Sequence, residues 1–121
     1  MPLCLVVDDD PMSCKMAADI AGSTGLQVRM EQNGIAALSF CKSQMPDVII
    51  LDVLMPRMDG IEFLRELHRM IGGRRPYVIA CTAVSDMNTI QSLQKEEINS
   101  YIVKPYTRDT LIAKIKASKI V

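Results

Sequence analysis

Three aspartates, a threonine and a lysine stand at the ends of short apolar runs that lie far apart in this chain. Asp8 and Asp9 follow residues 3–7, Asp52 follows 48–51, Thr82 follows 77–81 and Lys104 follows 101–103. If those runs are parallel strands of one sheet, their carboxyl ends share one edge, and open α/β sheets bind ligands there. Adjacent carboxylates repel each other unless they are solvated or hold a cation. Hard oxygen donors with few protein ligands suit Mg²⁺, which keeps several waters and also binds phosphate oxygens. An ammonium at Lys104 would neutralise phosphoryl charge, and the Thr82 hydroxyl could donate to a phosphoryl oxygen. Together these side chains could hold a divalent cation and a phosphoryl group.

The elements that must bring them together are legible as alternating strands and helices. After the first run, Asp10 is placed to cap a helix whose first residue is Pro11, with Met16, Ala17, Ile20 and Ala21 at helical spacing and Gly22 and Gly25 around its end. Residues 26–30 form a second strand. Asn33-Gly34 opens a helix with Ile35, Leu38 and Cys41 on one side, and Pro46 ends that region. The continuously apolar run 48–51 is expected of a central strand covered on both faces. The segment Val53-Leu54-Met55-Pro56 is a loop, and Asp59 and Glu62 make a capping-box pattern before Ile61, Leu64 and Leu67. Ser85 is placed to cap a fourth helix with Met87, Ile90 and Leu93. Thr107 caps a fifth, with Leu111, Ile112 and Ile115 inward and Lys114, Lys116 and Lys119 towards its C-terminal end. Five β-α units with short connections predict an α/β fold, a parallel sheet with helices on both faces.

Composition excludes several function classes. The chain has 121 residues, 49% apolar and 23% charged, with a formal net charge of zero. That predicts one globular domain over 1–121 and gives no bulk field for nucleic acid or an anionic membrane. The basic pair Arg74-Arg75 beside Gly72-Gly73 is expected in a loop. The apolar stretches are too short to span a bilayer. The start lacks the basic region of a signal peptide, so a cytoplasmic location is expected. Cys4, Cys14, Cys41 and Cys81 form no C-x-x-C pair and are expected to be buried thiols. The nine methionines are expected as core filler or a pliable contact surface. His68, the only histidine, is expected on a helix surface, which leaves no candidate phosphohistidine in the chain.

Over nearly its whole length the sequence resembles the receiver domains of two-component response regulators. The resemblance is carried by Leu5-Val6-Val7-Asp8-Asp9-Asp10-Pro11, by Ile50-Leu51-Asp52-Val53-Leu54-Met55-Pro56 with Met58-Asp59-Gly60, by Cys81-Thr82-Ala83, and by Tyr101-Ile102-Val103-Lys104-Pro105. It implies a flavodoxin-like, doubly wound five-stranded parallel sheet of order 2-1-3-4-5 with five helices. It implies that Asp52 accepts a phosphoryl group from a phosphohistidine on a histidine kinase or histidine phosphotransfer protein. It implies a Mg²⁺ (or Mn²⁺) site formed by Asp8, Asp9, Asp52 and the Leu54 backbone carbonyl. Lys104 and Thr82 would contact the phosphoryl group. Thr82 and Tyr101 would act as switch residues, altering a face made by the fourth helix, fifth strand and fifth helix that binds a downstream protein.

Departures from the family pattern are Asn99, near a common glycine, and Tyr106, in place of a common phenylalanine. Leu54 and Val84 are apolar where some relatives carry polar side chains near the path of the attacking water, so a long-lived phosphorylated state is expected. Two rival readings come from other classes. Asp8-Asp9-Asp10 also resembles the D-x-D opening of haloacid-dehalogenase-type phosphatases, which would make Asp8 the nucleophile. Against it, Met12 stands where threonine or valine is wanted, and no acidic pair follows Lys104. A phosphorylation-independent receiver-like binding module would be expected to lack one or more of the five site residues, all of which are present.

Overall fold

Five strands pair in parallel in the order β2-β1-β3-β4-β5. In this computed structural model, residues 1–55, 57–70, 75–83 and 87–121 are described. The strands are β1 (Leu3–Val7), β2 (Gln27–Glu31), β3 (Val48–Asp52), β4 (Tyr77–Thr82) and β5 (Ser100–Val103). The helices are α1 (Pro11–Ser23), α2 (Gly34–Ser43), α3 (Gly60–Met70), α4 (Met87–Lys95) and α5 (Arg108–Ala117). Every residue of β1 and β3 is buried, because helices cover both faces of the sheet and an apolar side chain is needed at each position short of Asp52 at the carboxyl end of β3. β2 lies at an edge and is largely exposed, which explains its polar Gln27, Arg29 and Glu31.

Two apolar layers hold the sheet. Cys4, Val6, Ile50, Ile79 and Ile102 pack with Ala17 and Ile20 of α1 and with Leu111 and Ile115 of α5. On the other face Leu5, Val7, Ile49, Leu51, Val78 and Ala80 meet Ala37 and Cys41 of α2, Phe63, Leu64 and Leu67 of α3, and Leu93 of α4. Side-chain caps set where the helices begin. Asp10 accepts from the Ser13 amide at 3.2 Å, Asn33 from Ala36 at 2.7 Å, Asp59 from Glu62 at 2.9 Å and Thr107 from Thr110 at 3.1 Å.

Several sequence expectations need correction. Met16 and Ile35 are 55% and 57% exposed. The other expected positions, Ala17, Ile20 and Ala21 in α1 and Leu38 and Cys41 in α2, are buried, joined by Cys14, Ala18 and Ala37, where small side chains let each helix lie close to the sheet. Phe63, absent from the expected α3 face, is among the largest fully buried side chains, whereas Ile61 is half-buried. β2 begins at Gln27 and runs through Glu31, whose carbonyl accepts from the Asp8 amide. His68 is tucked in: its side chain is 13% exposed, with Nδ1 3.5 Å from Glu96 Oε1. Asn99 Oδ1 accepts from the Val78 amide at 2.8 Å while the Asn99 amide donates to Val78 O, so this departure ties β5 to β4. The expectations for Pro56, Gly72-Gly73-Arg74, Val84 and Ser85, and for the side chain of Met87, lie outside the described residues.

Gly60 fixes the distance between α3 and the end of β3. A Cβ there would lie 2.8 Å from Val53 Cα and 2.9 Å from Asp52 O, both backbone atoms that cannot turn aside. Gly60→Ala is therefore expected to cost about 2–3 kcal/mol through overpacking, read as a lower denaturation midpoint in urea. A change under about 0.5 kcal/mol would show that the backbone yields more readily than this contact implies.

Candidate functional site

The parallel register brings all five chemistry-bearing side chains to the carboxyl edge of the sheet. Val7 is paired with Leu51, Asp52 with Cys81, and Thr82 with Val103. Asp8, Asp52, Thr82 and Lys104 therefore sit at or one residue past the ends of four adjacent strands. Hydrogen bonds continue the ladder into the loops. Val53 N donates to Cys81 O, and Lys104 N donates to Thr82 O at 2.8 Å.

Oxygen atoms of Asp8, Asp9 and Asp52 lie within 4.8 Å of one another. Asp8 and Asp52 are buried and Asp9 is exposed, so the cluster opens to solvent on the Asp9 side. One Asp8 oxygen accepts from the Asp10 amide at 3.0 Å. The other accepts from Lys104 Nζ at 2.9 Å, and the same ammonium stands 3.7 Å from Asp52 Oδ1. The lysine thus leans on Asp8 first, with Asp52 as its second partner. The Lys104-Pro105 bond is cis.

Burial and charge pull the Asp52 carboxyl in opposite directions. Burial pushes the Asp52 carboxyl up, Lys104 pulls it down, and the neighbouring charges of Asp8 and Asp9 add to the rise, leaving it at about 6. Burial also opposes charge on Lys104, but its hydrogen bond to Asp8 and the charges of Asp52 and Asp8 outweigh that and raise its pKa. The site therefore holds three acids against one base. Hard oxygen donors with this excess of negative charge fit a small divalent cation.

The remaining expected residues are placed as follows. Thr82 is buried at the end of β4, and Leu54 stands two residues past Asp52 with its side chain 59% exposed. Tyr101 is 40% exposed on β5. Ile102 faces the α1 and α5 layer, so strand alternation directs Tyr101 and Val103 to the opposite face, the one that α4 covers. Tyr106, expected only as a departure from the family pattern, is half-buried, and its phenol is pushed up by burial and by the nearby groups Cys81, Asp8 and Asp52. Its position straight after Lys104-Pro105 was the available signal for that placement.

Residues 4–116 match the response regulator receiver domain family. This chain belongs to that family. The receiver is 32% identical over 113 residues to the response regulator MprA of Mycobacterium sp. (strain KMS), a match covering 93% of this chain and 48% of that protein. The chain thus spans about half the length of the curated relatives it matches. Among solved structures, the chemotaxis protein CheY4 of Vibrio cholerae superposes with a TM-score of 0.91 at 25% identity, over 98% of each chain. The signal receiver domain of a signal transduction histidine kinase from Syntrophus aciditrophicus does so with 0.87 at 31% identity, over 98% of the receiver and 89% of that chain. A receiver is the phosphoacceptor switch of two-component signalling. The match covers the motifs around Asp8, Asp52, Thr82 and Lys104 together, so the phosphatase reading and the phosphorylation-independent reading are not favoured.

Proposed function

We infer that Asp52 is the phosphoacceptor and that the receiver spans residues 1–121 as one domain. The observation that carries this is the position of the Asp52 carboxyl, with Lys104 Nζ at 3.7 Å and the oxygens of Asp8 and Asp9 beside it. An Asp52 oxygen attacks the phosphorus of a phosphohistidine. The new P–O bond forms as the P–N bond breaks, and the imidazole leaves with the electron pair. Asp8, Asp9, Asp52 and the Leu54 carbonyl would hold Mg²⁺, or Mn²⁺, which would offset negative charge on the phosphoryl oxygens. Lys104 gives the same group a fixed positive charge, and Thr82 gives it a hydroxyl donor. Catalysis here is positioning and electrostatics. The chain is an acceptor rather than an enzyme acting on a separate substrate.

The donor is a histidine kinase or histidine phosphotransfer protein, and the output is binding of a downstream protein through the face of α4, β5 and α5. Thr82 and Tyr101 supply the contacts that differ between the two states of the switch, as any such device requires. No helix among the described residues is long and apolar enough to cross a membrane; a cytoplasmic location without direct membrane or nucleic-acid binding is part of the proposal. The test is incubation with phosphoramidate with and without Mg²⁺, followed by mass mapping. Label on Asp52 that needs the metal supports the assignment. Label on Asp8, or none, overturns it.

Leu54 bears on how long the phosphoryl group stays. Its exposed side chain lies two residues past Asp52 and offers no hydrogen-bonding group to an attacking water. Leu54→Asn is expected to speed dephosphorylation about tenfold, the barrier equivalent of one added hydrogen bond. Decay of the labelled protein followed over time checks this, and unchanged or slower decay would remove the idea. The companion position Val84 lies outside the described residues.

A further inference from the structure

A cavity of about 490 Å³ lies at the amino edge of the sheet, and small ligands are usually held in spaces of about 300–1,000 Å³. Asp47, Tyr77 and Asn99 wall it where β3, β4 and β5 begin, so it opens at the opposite end of the strands from Asp52. His68 near the end of α3, Glu97 after α4 and Ile120 after α5 close its sides, with Arg75 and Pro76 leading into β4. Pro76, Tyr77 and Ile120 give it an apolar wall, and Tyr77 and Ile120 are backed by the α1 and α5 core layer. Arg75 and Glu97 pair with each other, and their side chains are 46% and 69% exposed. An ion pair so open to water contributes little, so a ligand carrying both charges can replace it at small cost. Asn99 Oδ1 accepts from the Val78 amide at 2.8 Å, which fixes the side-chain amide and leaves its Nδ2 hydrogens to donate. Asp47 Oδ2 accepts from the Leu3 amide at 2.8 Å, and His68 Nδ1 faces Glu96 at 3.5 Å.

We propose that this cavity binds a free α-amino acid with an apolar side chain: Arg75 and Asn99 take the carboxylate, Glu97 takes the ammonium, and the side chain lies against Tyr77 and Ile120. A simple anion would satisfy Arg75 and leave Glu97 without its counter-charge, and a simple cation would do the reverse. A zwitterion meets both. Its two charges flank one carbon, and Arg75 and Glu97 are near enough to pair, so the spacing of charge corresponds on the two sides. Charge-assisted hydrogen bonds to a guanidinium and to a carboxylate are the strong kind. They fix the orientation of the ligand, while the apolar wall receives the part that water solvates least. The cavity shares no residue with the acceptor site, so the proposal stands independently of the assignment of Asp52.

His68 is the only histidine and lines the cavity, so its ring protons report occupancy directly. L-leucine is titrated into the whole chain and followed by proton NMR, with leucinamide and N-acetyl-leucine titrated in parallel. Leucine is expected to shift the His68 resonances saturably. Each derivative should bind about tenfold more weakly, as when one charge-assisted contact is lost. Arg75→Gln should weaken leucine about tenfold and barely alter leucinamide, which has no carboxylate to lose. Glu97→Gln should weaken leucine to a similar degree and barely alter N-acetyl-leucine, which has no ammonium. Both side chains are exposed, so neither variant removes a buried contact. Binding should persist in Mg²⁺, and labelling by phosphoramidate should proceed with leucine present. No saturable shift of His68, derivatives that bind as well as leucine, or variants that bind leucine as the parent does each overturns the proposal. So does leucine binding that Mg²⁺ abolishes, which would place the ammonium on the acids Asp8, Asp9 and Asp52 instead.

Discussion

Asp52→Asn is expected to abolish labelling by phosphoramidate and, in the absence of divalent metal, to melt higher than the parent. The first effect follows from the chemistry, because an amide oxygen is a poor nucleophile towards phosphorus and Asp8 is engaged elsewhere. Asp8 is bonded to Lys104 and to the Asp10 amide. The second effect follows from crowding. Three carboxylates meet within 4.8 Å against one ammonium, and burial leaves the Asp52 carboxyl at about 6 against an ordinary 3.8. A folded-state pKa raised in this way means that folding favours the protonated acid. The penalty for ionising it is absent below about pH 4, grows as pH rises towards 6, and is complete above that. At neutral pH it is worth about 1–3 kcal/mol. The variant should therefore gain that much in EDTA at pH 7.5, and the gap should close as pH falls to 4. Melting curves at the two pH values decide the matter. Equal melting temperatures at pH 7.5 would show that Lys104 already neutralises the cluster.

How much of this site was visible beforehand depends on which physical signal each residue leaves. The strand-end acids and Lys104 were legible because a buried parallel strand must be apolar throughout, so a charge that ends the run marks the sheet edge. The caps at Asp10, Asn33, Asp59 and Thr107 were legible because short polar side chains at helix starts serve one local purpose. The edge of the buried face in α1 and α2 was not, although Ala17, Ile20, Ala21, Leu38 and Cys41 do face inward. Met16 and Ile35 are as apolar as their inward neighbours, and the helix faces were chosen by small residues such as Ala17, Ala18 and Ala37 that permit close approach. Helical spacing alone does not weigh size in that way. Phe63 was passed over because the expected stripe was begun one residue after Gly60, and Gly60 itself faces the sheet.

Partner choice within the site was also hidden. The sequence allowed Lys104 to be read as a phosphoryl contact, but its nearest partner here is Asp8 at 2.9 Å, and Asp52 is second at 3.7 Å. No one-dimensional pattern distinguishes two carboxylates that converge on one ammonium from different strands. The role of Asn99 was hidden for a similar reason. Its side chain substitutes for a ladder partner of Val78, a use that depends on where β4 begins.

Lys104→Met should have the opposite effect on metal-free stability and the same direction of effect on chemistry as Asp52→Asn. Methionine keeps most of the side chain's length and removes its charge. The carboxylates of Asp8 and Asp52 then lose the cation that stands 2.9 and 3.7 Å away. Asp8 is buried and Lys104 mostly so, so breaking the pair leaves a poorly solvated anion. Breaking a fully buried pair costs about 3–5 kcal/mol, and partial exposure at Asp9 and Lys104 reduces this to about 1–3. Mg²⁺ should restore much of the loss by supplying positive charge to the same oxygens, so the variant's melting temperature should rise more steeply with added metal than the parent's. Labelling by phosphoramidate should still fall about 10²- to 10³-fold, as when one preorganised electrostatic contact to a transferring group is removed, because a cation on the acids would not supply the ammonium's own hydrogen bonds to the phosphoryl group. Rates measured at saturating Mg²⁺ separate the two roles. A variant destabilised without metal yet labelled at the parent's rate would confine Lys104 to holding Asp8 in place.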